Sequence, residues 1–369
     1  MENIIKHGEI CITKDEWAAL NIKLDKERIK KLLSSAILDN KLELPYQKIS
    51  SQQASDDFLQ LKNLDTSTLL IKNKFASKYD YKYSFLKSYI DSSNIGSQSS
   101  NFFQQENRFR CDSIISPSPF RVWNSEKFLN SMLGYLWSMK VKEVNNGIFR
   151  TALGVRKYVA SQFKPSVAKY VYDNFAGKGR VLDFSAGWGD RLAGFYASNQ
   201  TSKYVGIDPN KSVFDVYSQQ SELYRSLVSD KKDVSFINSP AEDVKLDEEF
   251  DLIFTSPPYF DLERYSKDDS QSWKRYKKKD AWLDGFLFKT IGSFWNNLSN
   301  GGYLIINIAD VYSHHQIQKM CDPMNDFIAK LNGSSYVGAI GMRMAQRPNS
   351  KVKSQHTLCE PMWIWKKTC

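Results

Sequence analysis

The sequence has 369 residues, of which 41% are hydrophobic and 25% charged, close to ordinary globular averages. This length suggests two domains, or one large domain with an appendage. The net charge of +10 favours a polyanionic partner, although other soluble proteins can be equally basic. The five cysteines are scattered without a CxxC pair, which argues against a disulfide framework and against a zinc site. Because we find neither a membrane-spanning apolar run nor a signal-peptide pattern, we expect a cytoplasmic protein without a membrane partner.

Residues 1–100 predict a mainly helical N-terminal region of unknown role. The stretch Asp25–Asn40 has apolar residues at helical spacing and predicts an amphipathic helix. The stretch Asp91–Asn101 is rich in Ser, Gly and Asn, and it predicts a linker or long loop at the end of this region.

Residues 101–160 alternate aromatic with basic side chains and form a connecting segment. Three arginines lie there among aromatic residues without a catalytic motif to explain them: Arg108, Arg110 and Arg121. We interpret the segment as a target-recognition region, with a scaffold or a dimer contact as the alternative.

From residue 161 to the end, apolar runs of strand length alternate with helical patterns. Strands are predicted at Arg180–Ala186, Lys203–Asp208, Asp233–Ser239, Phe250–Ser256, Gly301–Asp310, Tyr336–Met342 and Pro361–Lys367. Helices are predicted at Lys164–Phe175, Asp190–Ser198, Ser212–Leu227, Trp282–Leu298 and Pro323–Leu331. This alternation predicts an α/β fold with a doubly wound, mostly parallel seven-stranded sheet, ligands at the carboxyl ends of its strands, and a final antiparallel hairpin.

A glycine-containing turn follows the first of these strands. Asp183 ends the strand, and Gly187 and Gly189 occupy the turn into a helix, where the backbone can approach a ligand closely. The next strand ends in Asp208, about 20 residues after the glycines. In nucleotide-binding folds, an acid at this separation in sequence can bind a ribose diol. The stretch GWGDRL lacks the third glycine of a dinucleotide motif. In the alternative interpretation, both acids merely cap strands.

The most specific stretch is FDLIFTSPPYFDLERY, in which an apolar strand leads directly into Ser256, Pro257, Pro258 and Tyr259. Two prolines after a strand end the hydrogen-bond ladder and make a rigid loop. Such a loop can hold oxygen acceptors around an amine while an aromatic ring stacks on a flat substrate. The alternative is a proline turn with no function.

These motifs resemble those of the class I S-adenosylmethionine-dependent DNA amino-methyltransferases of the Ser-Pro-Pro-Tyr type. The resemblance covers residues 161–369 and implies a Rossmann-like methyltransferase domain that binds S-adenosylmethionine. The cofactor-binding residues that it implies are Phe163, Pro165, Asp183, Ser185, Gly187, Gly189, Asp208, Glu242 and Asp243. Among these, Phe163 and Pro165 pack over the cofactor, Asp183 and Gly187 lie at its methionine moiety, Asp208 binds the ribose, and Glu242 or Asp243 reads the adenine ring.

For catalysis, the resemblance implies that Ser256 accepts from the substrate amino group and that the Pro257 carbonyl assists. Tyr259 would stack on the flipped base. The serine form is most similar to the N4-cytosine subgroup, although some N6-adenine enzymes carry it too.

The segment after the Pro-Pro loop is strongly basic and interleaved with aromatic residues. We predict that its cations bind phosphates of DNA, with RNA as a further candidate; they are Lys274, Arg275, Lys277, Lys278 and Lys279. A solvated surface is the alternative. A second basic loop is predicted at Arg343–Thr357, and His314–His315 are placed on a loop without metal-ligand spacing.

Three other functions remain open from the sequence. One is methylation of an RNA base. Another is methylation of a protein glutamine, whose enzymes carry Asn-Pro-Pro-Tyr, which Ser256 does not match. The last is a catalytically inactive nucleic-acid-binding subunit of the same fold.

Overall fold

The structure is a computed structural model. It describes residues 4–72, 75–114, 116–156, 159–344 and 357–368. The chain divides into two compact units. The first comprises residues 1–48, 106–161 and 263–265, and the second comprises residues 49–105, 162–262 and 266–369. The sequence-based boundary at residue 100 thus differs from the boundaries of these units, because residues 49–105 belong with the second unit.

The strands, in chain order, are β1 (Ile5–Lys6), β2 (Glu9–Ile10), β3 (Leu70–Lys72), β4 (Phe75–Ser77), β5 (Phe85–Ile90), β6 (Asp112–Ser113), β7 (Arg180–Asp183), β8 (Lys203–Ile207), β9 (Asp233–Ile237), β10 (Phe250–Thr255), β11 (Glu263–Arg264), β12 (Leu298–Asn307), β13 (Val311–Ser313), β14 (Gln316–Gln318), β15 (Ser334–Arg343) and β16 (Thr357–Lys367).

The α-helices are α1 (Lys14–Lys23), α2 (Lys26–Asp39), α3 (Ser51–Lys62), α4 (Ser97–Arg110), α5 (Pro119–Trp123), α6 (Glu126–Leu133), α7 (Tyr135–Ser138), α8 (Asn146–Arg156), α9 (Pro165–Phe175), α10 (Asp190–Ala197), α11 (Lys211–Phe214), α12 (Tyr217–Ser226), α13 (Ser272–Arg275), α14 (Lys279–Trp282), α15 (Lys289–Trp295) and α16 (Cys321–Ile328). A π-helical stretch, Leu283–Phe288, joins α14 to α15. No helix among the described residues combines the length and the apolar character needed to cross a membrane.

The second unit is built on one sheet with the order β3-β5-β15-β16-β12-β10-β7-β8-β9, to which β4 adds by pairing with β16. The seven predicted strands are all present in it, and β7, β8, β9, β10 and β12 run parallel. The final hairpin of β15 and β16 is antiparallel, as predicted. Along the chain, β8 and β9 follow β7 on one side, and β12 follows β10 on the other side. The carboxyl ends of β7 and β10 therefore flank a topological switch point, where ligands bind in such folds. The predicted doubly wound fold is confirmed.

Apolar side chains cover both faces of this sheet, because successive residues of a strand point to opposite sides. Ile253 of β10 joins one cluster with Trp282 and Ile291, and its neighbour Phe254 joins the other with Val167 and helices α9 and α10. A sheet buried on both faces requires near-continuous apolar strands, and the FDLIFT sequence of β10 has this character.

The sheet exceeds the predicted seven strands because residues of the predicted helical region add β5 and β3 beyond β15 and pair β4 with β16. The predicted linker Asp91–Asn101 is also wrong in part, since α4 begins at Ser97. Asp57 of α3 accepts backbone hydrogen bonds from Gly96 at 3.0 Å, Gln98 at 2.7 Å and Ser99 at 3.0 Å. A carboxylate far along the chain therefore supplies the N-terminal cap that the local sequence lacks.

The first unit has a separate core that contains Ile29, Leu33 and Trp123. Its helix α2 confirms the predicted amphipathic helix, with Asp25 as the N-cap that accepts from Arg28 N at 2.9 Å. The unit also includes the pairing of β6 with β11.

Candidate active site

Asp183, the last residue of β7, anchors the turn that follows the strand. Its buried carboxylate accepts hydrogen bonds from Arg191 Nε at 2.7 Å, from Arg191 Nη2 at 3.2 Å and from Tyr204 Oη at 2.9 Å. Arg191 also donates to the carbonyl of Ser185. The ion pair thus fixes the turn. The contact of Asp183 and Gly187 with a methionine moiety, and cofactor binding by Ser185, stay predictions.

The two glycines of this turn differ in their surroundings. Both have positive φ angles, +59° at Gly187 and +74° at Gly189, which favour glycine. A Cβ on Gly189 would lie 2.4 Å from the side chain of Gln220, so packing requires the glycine. A Cβ on Gly187 would meet only the Ser185 carbonyl oxygen, at 3.7 Å. The space beside the Cα of Gly187 is therefore open to a ligand, whereas its N–H donates to Asp208 and its carbonyl accepts from Tyr217 Oη at 2.6 Å.

Asp208 follows β8 and connects the two cofactor motifs. One carboxylate oxygen accepts from Gly187 N and the other from Asn210 N, each at 2.8 Å. Burial raises the pKa of Asp208 to about 6, against the opposing effect of these two N–H groups. Each oxygen keeps a lone pair that can accept a hydroxyl, which fits a vicinal diol.

The element before α9 packs against both motifs. The half-buried ring of Phe163 makes an edge contact with Phe254 at 5.7 Å between centroids, and the Arg191 guanidinium lies 5.3 Å from the same ring. Pro165 is buried as the first residue of α9, and its packing over the cofactor stays a prediction. Phe163 therefore links the glycine turn to the strand that carries the Pro-Pro loop.

The Pro-Pro loop follows β10 at the switch point. Ser256 Oγ donates to Asn307 Oδ1 at 3.2 Å, and Tyr259 is half-buried against the core. The carbonyl of Pro258 accepts from Phe260 N at 3.1 Å. The Pro257 carbonyl has no hydrogen-bond partner among the residues that the structure describes, which leaves it free to accept.

Glu242 and Asp243 lie on a 3₁₀ turn after β9 and bind the same cation. Arg275 Nη1 is 2.7 Å from Glu242 Oε1 and 2.7 Å from Asp243 Oδ2. Burial raises the pKa of Glu242, whereas the hydrogen bond from Arg275 lowers that of Asp243. This ion pair competes with both sequence-based roles, adenine reading by the acids and phosphate binding by the arginine.

The predicted phosphate-binding lysines fall into two classes. Lys274 pairs with Asp269 at 2.9 Å, and Lys279 lies 3.5 Å from Asp280. Lys277 and Lys278 are exposed and form no ion pair within the described chain, and Lys277 lies 5.3 Å from the ring centre of Trp273. Two of the five cations are therefore outside ion-pair distance of any acid in the described chain, although Lys274 and, to a lesser extent, Lys277 lower the pKa of Asp269.

The arginines predicted for target recognition have partners in the first unit. Arg108 donates to the Ala160 carbonyl at 2.8 Å, Arg110 pairs with Glu106 at 2.6 Å, and Arg121 lies 3.8 Å from Asp112. Their role in target recognition stays a prediction.

Two further predictions concern loops. Most of the second basic loop lies outside the described residues, at positions 345–356. The predicted loop at His314–His315 is the turn between β13 and β14, where His314 Nε2 lies 2.9 Å from Asp261 Oδ2. No group of three His, Cys, Asp or Glu side chains in the described segments is arranged to hold a metal ion.

Sequence reasoning missed Arg191 and Asn307. Arg191 belongs to the motif GWGDR, but its partner Asp183 is eight residues away on the preceding strand. Asn307 is the polar residue near the end of the apolar run YLIIN, and a buried amide at a strand end was the available signal.

Comparison with known proteins places the chain among distant structural neighbours. No protein-family model matches it, and no curated protein matches its sequence. Solved structures that resemble it include TrmN from Thermus thermophilus, at 14% identity and a TM-score of 0.36 over 56% of this chain and 49% of TrmN. The match thus spans only about half the length of TrmN.

Two other neighbours are an S-adenosylmethionine-dependent O-methyltransferase from Thermotoga maritima and an rRNA methylase from Streptococcus thermophilus. The first shares 14% identity over 60% of this chain and 71% of the neighbour, with a TM-score of 0.35. The second shares 13% identity over 57% of this chain and 100% of the neighbour, also with a TM-score of 0.35. Values this low carry no information on substrate, so the fold assignment rests on the strand order itself.

Proposed function

We propose that this chain is an S-adenosylmethionine-dependent methyltransferase that methylates an exocyclic amine of a nucleic-acid base, with cytosine N4 in DNA as the first candidate. The observation that carries the proposal is the Pro-Pro loop at the switch point. There the Ser256 hydroxyl donates a hydrogen bond to Asn307, which leaves the lone pairs of Oγ to accept, and the Pro257 carbonyl has no hydrogen-bond partner among the described residues.

The residues present fit the cofactor. Asp208 offers two carboxylate oxygens with remaining lone pairs for a ribose diol, and Gly187, which lacks a side chain, leaves room beside them. Phe163 supplies an aromatic face between the glycine turn and β10. When bound, S-adenosylmethionine supplies a methyl group already activated on a sulfonium.

The residues of the chain then have to position the amine and accept its hydrogens. The lone pair of an exocyclic amine is delocalised into the base ring, and acceptors at its N–H groups favour the pyramidal form that exposes the lone pair. Ser256 Oγ and the Pro257 carbonyl are two such acceptors, and Tyr259 can stack on the base. Positioning and electrostatics account for most of such catalysis.

Incubation with methyl-labelled S-adenosylmethionine tests the proposal. DNA, RNA and protein pools are separated after the reaction, and the labelled pool is digested to its monomers, with Ser256→Ala as the matched control. Label in N4-methylcytosine from DNA is expected. N6-methyladenine, or label in RNA, would correct the substrate and keep the reaction. Label in protein alone would overturn the proposal, and so would cofactor binding without transfer to any pool, as an inactive subunit predicts.

A further inference from the structure

The side chain of Ser256 poses a problem that an aspartate at this position would not pose. A carboxylate only accepts hydrogen bonds, whereas a hydroxyl has one proton and two lone pairs and can do either. If the proton of Ser256 pointed at the substrate, it would meet an amine N–H donor to donor. The oxygen of the hydroxyl can face the amine as an acceptor only if its O–H bond points at another acceptor.

Asn307 is placed to accept the hydrogen bond that the Ser256 hydroxyl donates. It is the last residue of β12, which runs parallel to β10 with Ile306 opposite Thr255, so both strands end beside each other. Ser256 Oγ donates to Asn307 Oδ1 at 3.2 Å. Only 2% of Asn307 is exposed, so water does not substitute readily for this acceptor.

A second contact fixes which end of the amide faces Ser256. Asn307 Nδ2 donates to the carbonyl of Pro361 at 3.1 Å, across the ladder in which Asn307 is paired with Met362. A carbonyl oxygen only accepts, so turning the amide over would bring Oδ1 against the oxygen of Pro361. It would also bring Nδ2 to Ser256 Oγ as a donor. Because the group is buried, that loss has no compensation from solvent.

We propose that Asn307 is a positioning residue that accepts the hydrogen bond of the Ser256 hydroxyl and thereby leaves only the lone pairs of Oγ to face the substrate amine. The inference rests on the proposed function and deepens it. It assigns the orientation of the hydroxyl to a relay from the Pro361 carbonyl through the Asn307 amide to Ser256. A neutral serine can then accept from the amine as a carboxylate would. A carboxylate has no proton and therefore needs no partner to orient it.

The competing explanation is structural, because the same amide also ties β12 to β16. The two explanations differ in their dependence on Ser256. A positioning residue has nothing to position once the hydroxyl is gone, whereas a structural residue matters equally with or without it.

A double-mutant cycle with Ser256→Ala and Asn307→Leu separates them. Single-turnover methyl transfer from labelled S-adenosylmethionine is measured on whichever pool, DNA or RNA, accepts label. We expect Asn307→Leu alone to slow transfer roughly 10-fold to 100-fold, the range of one or two hydrogen bonds in a transition state. In the Ser256→Ala background, the same change should slow transfer less than about 2-fold. Equal losses in both backgrounds, or no loss in either, would overturn the inference.

Asn325→Leu is the matched control. Asn325 is fully buried in α16 and accepts from Trp365 Nε1 at 2.9 Å, so its loss removes a comparable core amide. It should change the rate by the same small factor in both Ser256 backgrounds. Cofactor affinity, measured by calorimetry, should stay unchanged in every variant, and Asn307→Ala replaces Asn307→Leu if the larger side chain prevents folding.

The results of the double-mutant cycle also separate this inference from the proposed function. Wild-type rates in Ser256→Ala, or no transfer to any nucleic-acid pool, would contradict both the proposed function and the inference. A slow Ser256→Ala with additive Asn307→Leu would remove the inference alone.

Discussion

The two halves of the candidate site are held by different kinds of polar contact. At the ends of β7 and β8 the contacts involve buried charges, the Asp183–Arg191 pair and the Asp208 carboxylate. At the ends of β10 and β12 they are neutral, running from Ser256 through Asn307. A buried charge is costly without its partner, whereas a neutral hydrogen bond contributes about 0.5–1.5 kcal/mol. We therefore expect changes in the first half to alter stability and pH dependence, and changes in the second half to alter rate.

The largest expected effect is on the stability of the charged half. Arg191→Met leaves the fully buried Asp183 without its cation and should lower the free energy of unfolding by about 3–5 kcal/mol. The matched control is Arg180→Met at the opposite end of β7. The Arg180 side chain is 34% exposed, and its buried partner Asp251 would keep a hydrogen bond from Arg180 N at 3.1 Å, so the loss should cost only about 1–2 kcal/mol. Urea unfolding measures both, and equal costs would contradict the contrast in burial.

The neutral half should respond mainly in rate. Tyr259→Ala removes the ring that is proposed to stack on the base and should slow single-turnover transfer roughly 100-fold, or about 2.7 kcal/mol. Tyr259→Phe keeps the ring and should stay within about 3-fold of the wild type. If both variants react at the wild-type rate, the loop is structural. If both are equally slow, the hydroxyl and not the ring is responsible.

Asp208 should make cofactor affinity depend on pH. Its pKa of about 6 is raised above the ordinary value by burial, and only the ionised carboxylate accepts from both ribose hydroxyls. Affinity should therefore be constant above about pH 7 and fall roughly tenfold per pH unit well below pH 6, as protonation removes the acceptor.

Asp208→Asn is the control for this pH dependence. It should weaken binding by about 1.5–3 kcal/mol at neutral pH, because a hydrogen bond to a charged group is lost, and it should flatten the profile between pH 5 and pH 7. Calorimetry across that range measures both proteins. A wild-type profile that stays flat to pH 5, or a variant with wild-type affinity, would show that the carboxylate is not the diol acceptor.

The charged and neutral halves also differ in how much of them the sequence predicts. The glycine turn, Asp208 and the Pro-Pro loop are local patterns, and the structure places each at the carboxyl end of its predicted strand. Arg191 on α10 and Asn307 on β12 act through partners on other elements, so the local sequence does not reveal what they bind. For the same reason the ion pairs of Arg275 with Glu242 and Asp243 could not be predicted. A run of basic residues does not show which of them has an acidic partner elsewhere in the chain.

The predicted fold shows the same limit. The central strands β7, β8 and β10 are apolar enough to predict, because both of their faces are buried. The added edge strands β3 and β5, by contrast, have sequences as short and mixed as LIK and FLKSYI. The burial of such strands depends on the sheet that they join, which the local sequence does not describe.

The smallest expected effect concerns the lysines after the Pro-Pro loop, where ion pairing divides residues that look alike in sequence. Lys277 and Lys278 lie outside ion-pair distance of any acid in the described chain, whereas Lys274 and Lys279 lie within ion-pair distance of Asp269 and Asp280. Replacing either pair by Gln changes the net charge equally, so a difference between the two variants reports on contacts and not on total charge.

If Lys277 and Lys278 each bind a phosphate, the slope of log affinity against log salt for duplex DNA should fall by roughly two units. The Lys274→Gln and Lys279→Gln pair should change the slope by less, because their ion pairs already satisfy part of the charge. The methylated base should be the same in both variants, since the reacting amine is held by Ser256 and its loop. Equal slopes for the two variants would mean that the ion pairs open on binding, and an unchanged slope in both would place the phosphates elsewhere on the protein.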